Sequence, residues 1–336
     1  MKAKILVYAL PALILSTIHL AEAQQPKGVP RIGVLSRGLH PSDSREPSPH
    51  NFEAFRQGLR ELGYIEGKNI IIESRYAEGR FERFPALAEE LVLLKVEIIV
   101  VDSFTTASAV KKVTTTIPIV VAGGATQIGS GLVASLARPG GNVTGLTNIS
   151  TELLGKRLEL LKEVVPKVTR FAFLSDSDSE GSKAMLKETQ VAAQTLGVKF
   201  QLVEVKAQDN PDFDGAFRLM AKERIGAIII SPSPRLNLSL HQKRILQLLE
   251  QARMPAMHPN VSWMDDGGLM YYGANSRDLY RRAATYVDKI LKGEMPADLP
   301  VEQPKKFEFI INLKTAKQIG LTIPPNVLAR ADKVFK

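Results

Sequence analysis

Short apolar runs alternate with amphipathic stretches from residue 31 onward. Arg31–Ser36 (RIGVLS) is an apolar run closed by a small hydroxyl residue, the pattern of a strand buried on both faces of a parallel sheet. Phe52, Phe55, Leu59 and Leu62 then recur at helical spacing, and Gly63 supplies a stop. Strands are expected at 69–73, 97–101 (EIIVV) and 117–121, with a helix through Phe84, Leu87, Ala88, Leu91 and Leu94 between the first two. Strands alternating with helices at this interval predict right-handed βαβ units in a parallel sheet.

The pattern pauses at Ala137-Arg138-Pro139-Gly140-Gly141-Asn142, a dense turn signal, and then restarts. A helix is expected over 152–164, then a strand at 170–175 (RFAFLS) that again ends in serine. A helix through Ala184 and Ala192, a strand at 199–205, a helix through Phe213 and Phe217, a strand at 227–231 (AIIIS) and a helix over 238–251 follow. Two such sets predict an α/β fold of two doubly wound parallel-sheet lobes joined by a hinge, with the break near 145–150. A strand at 269–272, a helix at 278–291 and a strand at 307–311 extend neither set and are read as crossings between lobes. The expected division is 24–146 plus about 274–296 for the first lobe, and 147–273 plus about 297–336 for the second.

Residues 1–23 read as a cleaved signal peptide: Lys2 and Lys4, an apolar stretch over 5–20, then Ala21-Glu22-Ala23. The apolar stretch is short for a membrane span and contains Pro11, and no cysteine follows it to carry a lipid. A soluble mature protein is expected. The 336 residues contain no cysteine, which excludes a disulfide scaffold, a thiolate metal site and a cysteine nucleophile. Export without disulfides fits a bacterial periplasm. The formal charge of +9 is scattered singly and in pairs, so no nucleic-acid partner is expected.

In doubly wound sheets, ligands bind beyond the carboxyl ends of the strands, where helix N-termini present unpaired N–H groups. That rule selects Ser36 and Arg37, Ser103 and Thr105, Gly123 and Gly124, Ser175 and Asp176, and Ser231. Serine and aspartate also cap helices whatever the function, so each residue carries both readings. Gly129 to Ala134 matches G-x-G-x-x-A and opens an expected helix, but the preceding strand ends too early. Asn148, moreover, stands where a ribose-binding acid is needed. Gly124 to Ser130 nearly spells a phosphate loop, with Ser130 at the lysine position. Neither NAD, FAD nor ATP is expected, and no other cofactor. His40, His50, His241 and His258 are widely spaced and read as structural or exposed, and Asp265-Asp266 reads as a turn before Gly267-Gly268. No catalytic set is present, so no enzyme activity is expected.

Several long motifs resemble one family. Residues 55–70 (FRQGLRELGYIEGKNI), 117–120 (IPIV), 131–146 (GLVASLARPGGNVTGL), 267–273 (GGLMYYG), 286–293 (YVDKILKG) and 298–304 (DLPVEQP) are similar to the bacterial ABC-transporter substrate-binding proteins that include tryptophan and tyrosine binders. The resemblance implies a type I periplasmic-binding-protein fold, a solute clamped between two lobes, and presentation to an inner-membrane permease with its cytoplasmic ATPase, the receptor itself acting as a monomer. One departure is Thr126-Gln127-Ile128, where relatives often carry Asp-Pro-Val. The expected ligand is an amino acid or a small aromatic or carboxylate compound. Its contacts are expected from Ser36, Arg37, Ser103, Thr105, Gly124, Thr126, Asn148, Ser175, Asp176, Ser231 and Tyr272, with Asp176 facing an ammonium group and Tyr272 or Trp263 stacking on a side chain. The alternatives are a ligand-sensing periplasmic receptor for a signalling partner and a secreted enzyme on the same scaffold.

Overall fold

The computed structural model describes residues 28–38, 49–124, 131–149, 153–178, 182–207, 210–233 and 235–336. The expected signal peptide and Thr126 lie outside them.

The first sheet contains β1 (Arg31–Ser36), β2 (Ile71–Tyr76), β3 (Ile98–Val101), β4 (Ile119–Val121) and β5 (Val143–Gly145) in the order β2-β1-β3-β4-β5, all parallel. Its strands are apolar runs because helices cover both faces. On one face α1 (Pro49–Glu61) and α9 (Ser276–Leu291) bury Phe55, Leu59, Tyr280, Ala283 and Val287 against Ile32 and Val34. On the other, α2 (Phe84–Leu93) and α3 (Phe104–Val113) bury Leu87, Leu91, Ala107 and Val110 against Leu35 and Val101.

The second sheet contains β6 (Arg170–Asp176), β7 (Lys199–Val205), β8 (Ala227–Ile230), β9 (Ala256–His258), β10 (Met270–Ala274), β11 (Phe307–Asn312) and β12 (Lys333–Phe335). Read from its edge, β7-β6-β8-β9-β10 repeats the order of the first sheet, and β11 then adds antiparallel to β10. Helices α4 (Leu154–Val164) and α5 (Ser182–Thr195) cover one face, and α6 (Phe213–Lys222) and α7 (Ser239–Gln251) the other. The short helices α8 (Ser262–Asp265), α10 (Leu313–Gln318) and α11 (Pro325–Leu328) complete the set.

Three sequence expectations change. Residues 269–272 and 307–311 do not run between lobes; they are strands of the second sheet, and the 278–291 helix packs on α1 in the first lobe, where the expected division had put it. Leu299 and Val301 are buried in the first lobe's core, and the Glu302 N–H bonds to the Gly145 carbonyl, so the last crossing follows Glu302 rather than 297. No helix forms over 131–142. Ser135 instead bonds the backbone of Arg138, Gly140 takes φ +72, and Leu132 and Val133 are buried as loop residues. β9 and β12, three residues each, are too short for periodicity to reveal.

His258 ends β9, 1% exposed and stacked on Trp263 with ring centroids 5.0 Å apart. Burial pushes its pKa down to about 3 from an ordinary 6.5, so it is neutral in the fold and takes up a proton only on unfolding. Its contribution is complete above pH 7 and is lost as pH falls below 6.5, at about 1.4 kcal/mol per pH unit. Urea melts at pH 7 and pH 5 should show His258→Gln losing less stability than the native chain by about 2 kcal/mol. Equal losses would exclude a neutral buried His258.

Candidate functional site

In a sheet of this order the strand connections reverse direction between the first and third strands of the set, which lie side by side, opening a crevice at the carboxyl ends. In the first lobe that point lies between β1 and β3, and in the second between β6 and β8. A carboxylate with little exposure organises each one.

In the first lobe the carboxylate is Asp102, which directly follows β3 and has a side chain 7% exposed. Its Oδ2 accepts from the Ser36 hydroxyl at 3.2 Å and from the Arg37 N–H at 2.9 Å, and its Oδ1 accepts from the Thr106 hydroxyl at 2.8 Å. The Arg37 guanidinium lies 4.0 Å away. Ser103 caps α3 by accepting the Thr106 N–H, and Thr105 stands exposed on the first turn. Gly124, at φ +114, lies so close to Ser103 that a Cβ there would come within 3.2 Å of its Cα. The Gly124 carbonyl accepts the Asn148 N–H at 3.0 Å and the Thr147 hydroxyl at 3.1 Å. The Tyr280 hydroxyl, from α9, is pushed up by burial and further by the Asp102 charge. Ser36 and Arg37 therefore meet on an aspartate missing from the expected set, and Ser103, Gly124 and Asn148 form a chain of contacts beside it. The aspartate's signal was its place between an apolar strand and a helix cap.

In the second lobe Asp176 is 2% exposed. It accepts the Ser233 hydroxyl at 3.1 Å, the Asp178 N–H at 3.2 Å and the Ala207 N–H at 3.3 Å. The Arg235 guanidinium lies 3.7 Å from it. The carboxylate expected to receive an ammonium group is thus engaged within its own lobe. Ser231 is 1% exposed and accepts the Ser233 N–H, and Ser175 is buried in β6. Ser233 and Arg235 had no sequence signal, since they bind residues more than 50 positions away.

Tyr272 and Trp263 have other partners. Tyr272 stacks on Phe307 at 6.2 Å and meets Phe309 edge-on, packed against the second core. Trp263 is fully buried and donates its indole N–H to Asn237 at 2.6 Å. The Tyr272 carbonyl accepts from Nε of Arg157 at 2.7 Å, which ties α4 to β10 beside the crossings. A groove of about 570 Å³ between β7 and α6, lined by residues such as Val203, Lys206, Asp212 and Leu219, includes none of the strand-end hydroxyls. The first-lobe crevice therefore brings strand-end hydroxyls and the N-terminus of α3 together, and the second gathers Ser231, Ser233 and Arg235 around Asp176.

Comparison with known proteins agrees with this architecture. The family described as ABC transporter substrate binding protein matches residues 45–335. A tyrosine-binding protein of Clostridioides difficile (strain R20291) is 25% identical over 291 residues, covering 86% of this chain and 81% of that one. The crystal structure of an ABC domain in complex with L-Trp from Streptococcus pneumonia is 25% identical with a TM-score of 0.79, covering 91% of this chain and 99% of that one. A conserved domain protein from Vibrio cholerae is 27% identical, with the same TM-score and coverage. The fold is that of the type I periplasmic binding proteins. With two lobes, paired strand-end crevices and a match over nearly its whole length, the chain belongs to the ABC transporter substrate-binding protein family, whose members bind solutes for a transporter.

Proposed function

We propose that this protein is the periplasmic receptor of an ABC importer, that it works as a monomer, and that its solute is a small molecule bearing a carboxylate, an amino acid first. The observation that carries the ligand class is the first-lobe crevice. There the N-terminus of α3, capped by Ser103 at the Thr106 N–H, stands beside the hydroxyls of Ser36, Ser103 and Thr105. Such an end favours a carboxylate through both its N–H groups and its dipole. The relatives named for tyrosine and bound to L-Trp support an amino acid, and the aromatic side chain is the first to test. Export rests on the leader-like residues 1–23. Among the described residues no helix is long and apolar enough to cross a membrane.

The test is a thermal-shift screen of the chain from Gln24 against amino acids, aromatic acids, sugars and nucleosides. A solute at 100 times its dissociation constant adds about 2.7 kcal/mol, a clear rise in the melting midpoint. One carboxylate-bearing hit, recovered intact, is the expected result. A hit that is consumed would make the protein an enzyme. A hit restricted to sugars or nucleosides, or a flat screen after unfolding, dialysis and refolding, would overturn the ligand class.

A further inference from the structure

Away from the chain crossings, the lobes touch where the turn after β2 meets the loop after β8. Arg235, from the second lobe, places its guanidinium carbon 6.0 Å from the centroid of the Phe81 ring, from the first. This is the reach of a cation–π contact. Next to it, a Cβ added at Gly79 would lie 2.9 Å from Cδ2 of Leu238, so the Leu238 side chain of the second lobe packs on the Gly79 backbone of the first.

Both sides of the contact are held in place from within their own lobes. The Arg235 Nη1 lies 3.7 Å from Asp176 and 3.7 Å from Asp178, while its carbonyl oxygen is 2.8 Å from the His241 Nδ1. Asn237 donates to the Ser233 carbonyl at 2.6 Å, bracing the same loop. Phe81 packs edge-on against Phe84, and Arg80 and Arg83 both bond Glu78 below it. A guanidinium can meet carboxylates along its edge and an aromatic ring with its face, which an ammonium cannot do equally well.

We propose that Arg235 is a positioning residue for lobe closure: a cationic clasp seated on Asp176 and Asp178, whose outer face closes on Phe81. Asp176 then serves the ligand indirectly, by aiming the clasp, rather than by receiving an ammonium group. A ligand shifts an open–closed equilibrium only by its own preference for the closed form, and the clasp, made with or without solute, sets the solute-free ratio on which that preference acts. The inference rests on the two-lobe receptor reading but not on the solute class.

The test uses the solute-free protein, so a wrong ligand class leaves it intact. With no native cysteine, Glu89→Cys on α2 and Lys243→Cys on α7, both exposed, accept one nitroxide label per lobe. Distances between the labels are then read by double electron–electron resonance. Phe81→Leu and Arg235→Gln should each move the distribution toward longer separations, changing the open-to-closed ratio about two- to fivefold. Arg235→Lys should fall between. The double variant should go no further than Arg235→Gln alone, because both changes remove one contact. An unchanged distribution in Phe81→Leu, or additive shifts in the double variant, would overturn the clasp. Arg235 would then be only an ion pair within its own lobe, since Phe81 takes no part in that pairing. The melting midpoint of Phe81→Leu, read alongside, separates opening from loss of fold.

Discussion

Gly145→Ala is expected to destabilise the first lobe by about 2–6 kcal/mol, combining about 1–3 for overpacking with about 1–3 for backbone strain. Gly145 ends β5 at φ +131, a conformation that residues with a side chain rarely adopt. A Cβ there would lie 2.2 Å from the carbonyl oxygen and 2.5 Å from the amide nitrogen of Val121 on β4. Those are backbone atoms, so no rotamer change relieves the clash, and β4 and β5 would have to separate. The damage would spread because the Gly145 carbonyl also receives the Glu302 N–H where the chain leaves the first lobe. The melting midpoint should fall by on the order of 10 °C. Gly197→Ala is the control: φ is +63 with nothing within 4 Å, and only the left-handed conformation, about 1–2 kcal/mol, is penalised. If the two variants melt together, the close approach of β5 to β4 is not what Gly145 serves.

Asp102→Ala should weaken solute binding by about a hundredfold and Asp102→Asn by about tenfold. The carboxylate receives the Ser36 hydroxyl, the Arg37 N–H and the Thr106 hydroxyl, and hydrogen bonds to a charged group contribute about 1.5–3 kcal/mol each. Alanine strands all three donors at the mouth of β1 and α3, so the groups aimed at the ligand lose their geometry. Asparagine keeps the shape and one accepting oxygen. Titration calorimetry with the solute found in the screen measures both. Equal affinities for the native chain and Asp102→Ala would mean that the first-lobe crevice does not meet the ligand. Ser103 should matter less, since its hydroxyl mainly caps α3, for which a loss of about 1 kcal/mol of stability is usual.

The strand ends were legible from local pattern. Ser36, Ser103, Gly124 and Ser231 were placed at or just past them because apolar runs end in small polar residues, and a doubly wound sheet turns such ends toward a ligand. The same rule put Asp176 at a strand end but gave none of its partners within the protein. A local pattern shows that a carboxylate ends a strand, not that Ser233 and Arg235 lie beside it. Tyr272 was expected to stack on a ligand side chain; Phe307 and Phe309, more than 30 residues on, are its aromatic neighbours in the fold.

The sequence by itself determined the two α/β lobes, their parallel strands and the serine-rich strand ends, because each is written within a window of one or two elements. Burial of a continuous apolar strand, or of one helix face, is decided by residues a few positions apart. Only the tertiary structure decided that β11 adds antiparallel to β10, that the last crossing waits until after Glu302, and that Asp102 gathers Ser36, Arg37 and Thr106. It alone brought Arg235 over Phe81. These are pairings between distant residues, selected by the burial and charge balance of the whole molecule, and no short stretch of chain carries enough information to choose among them.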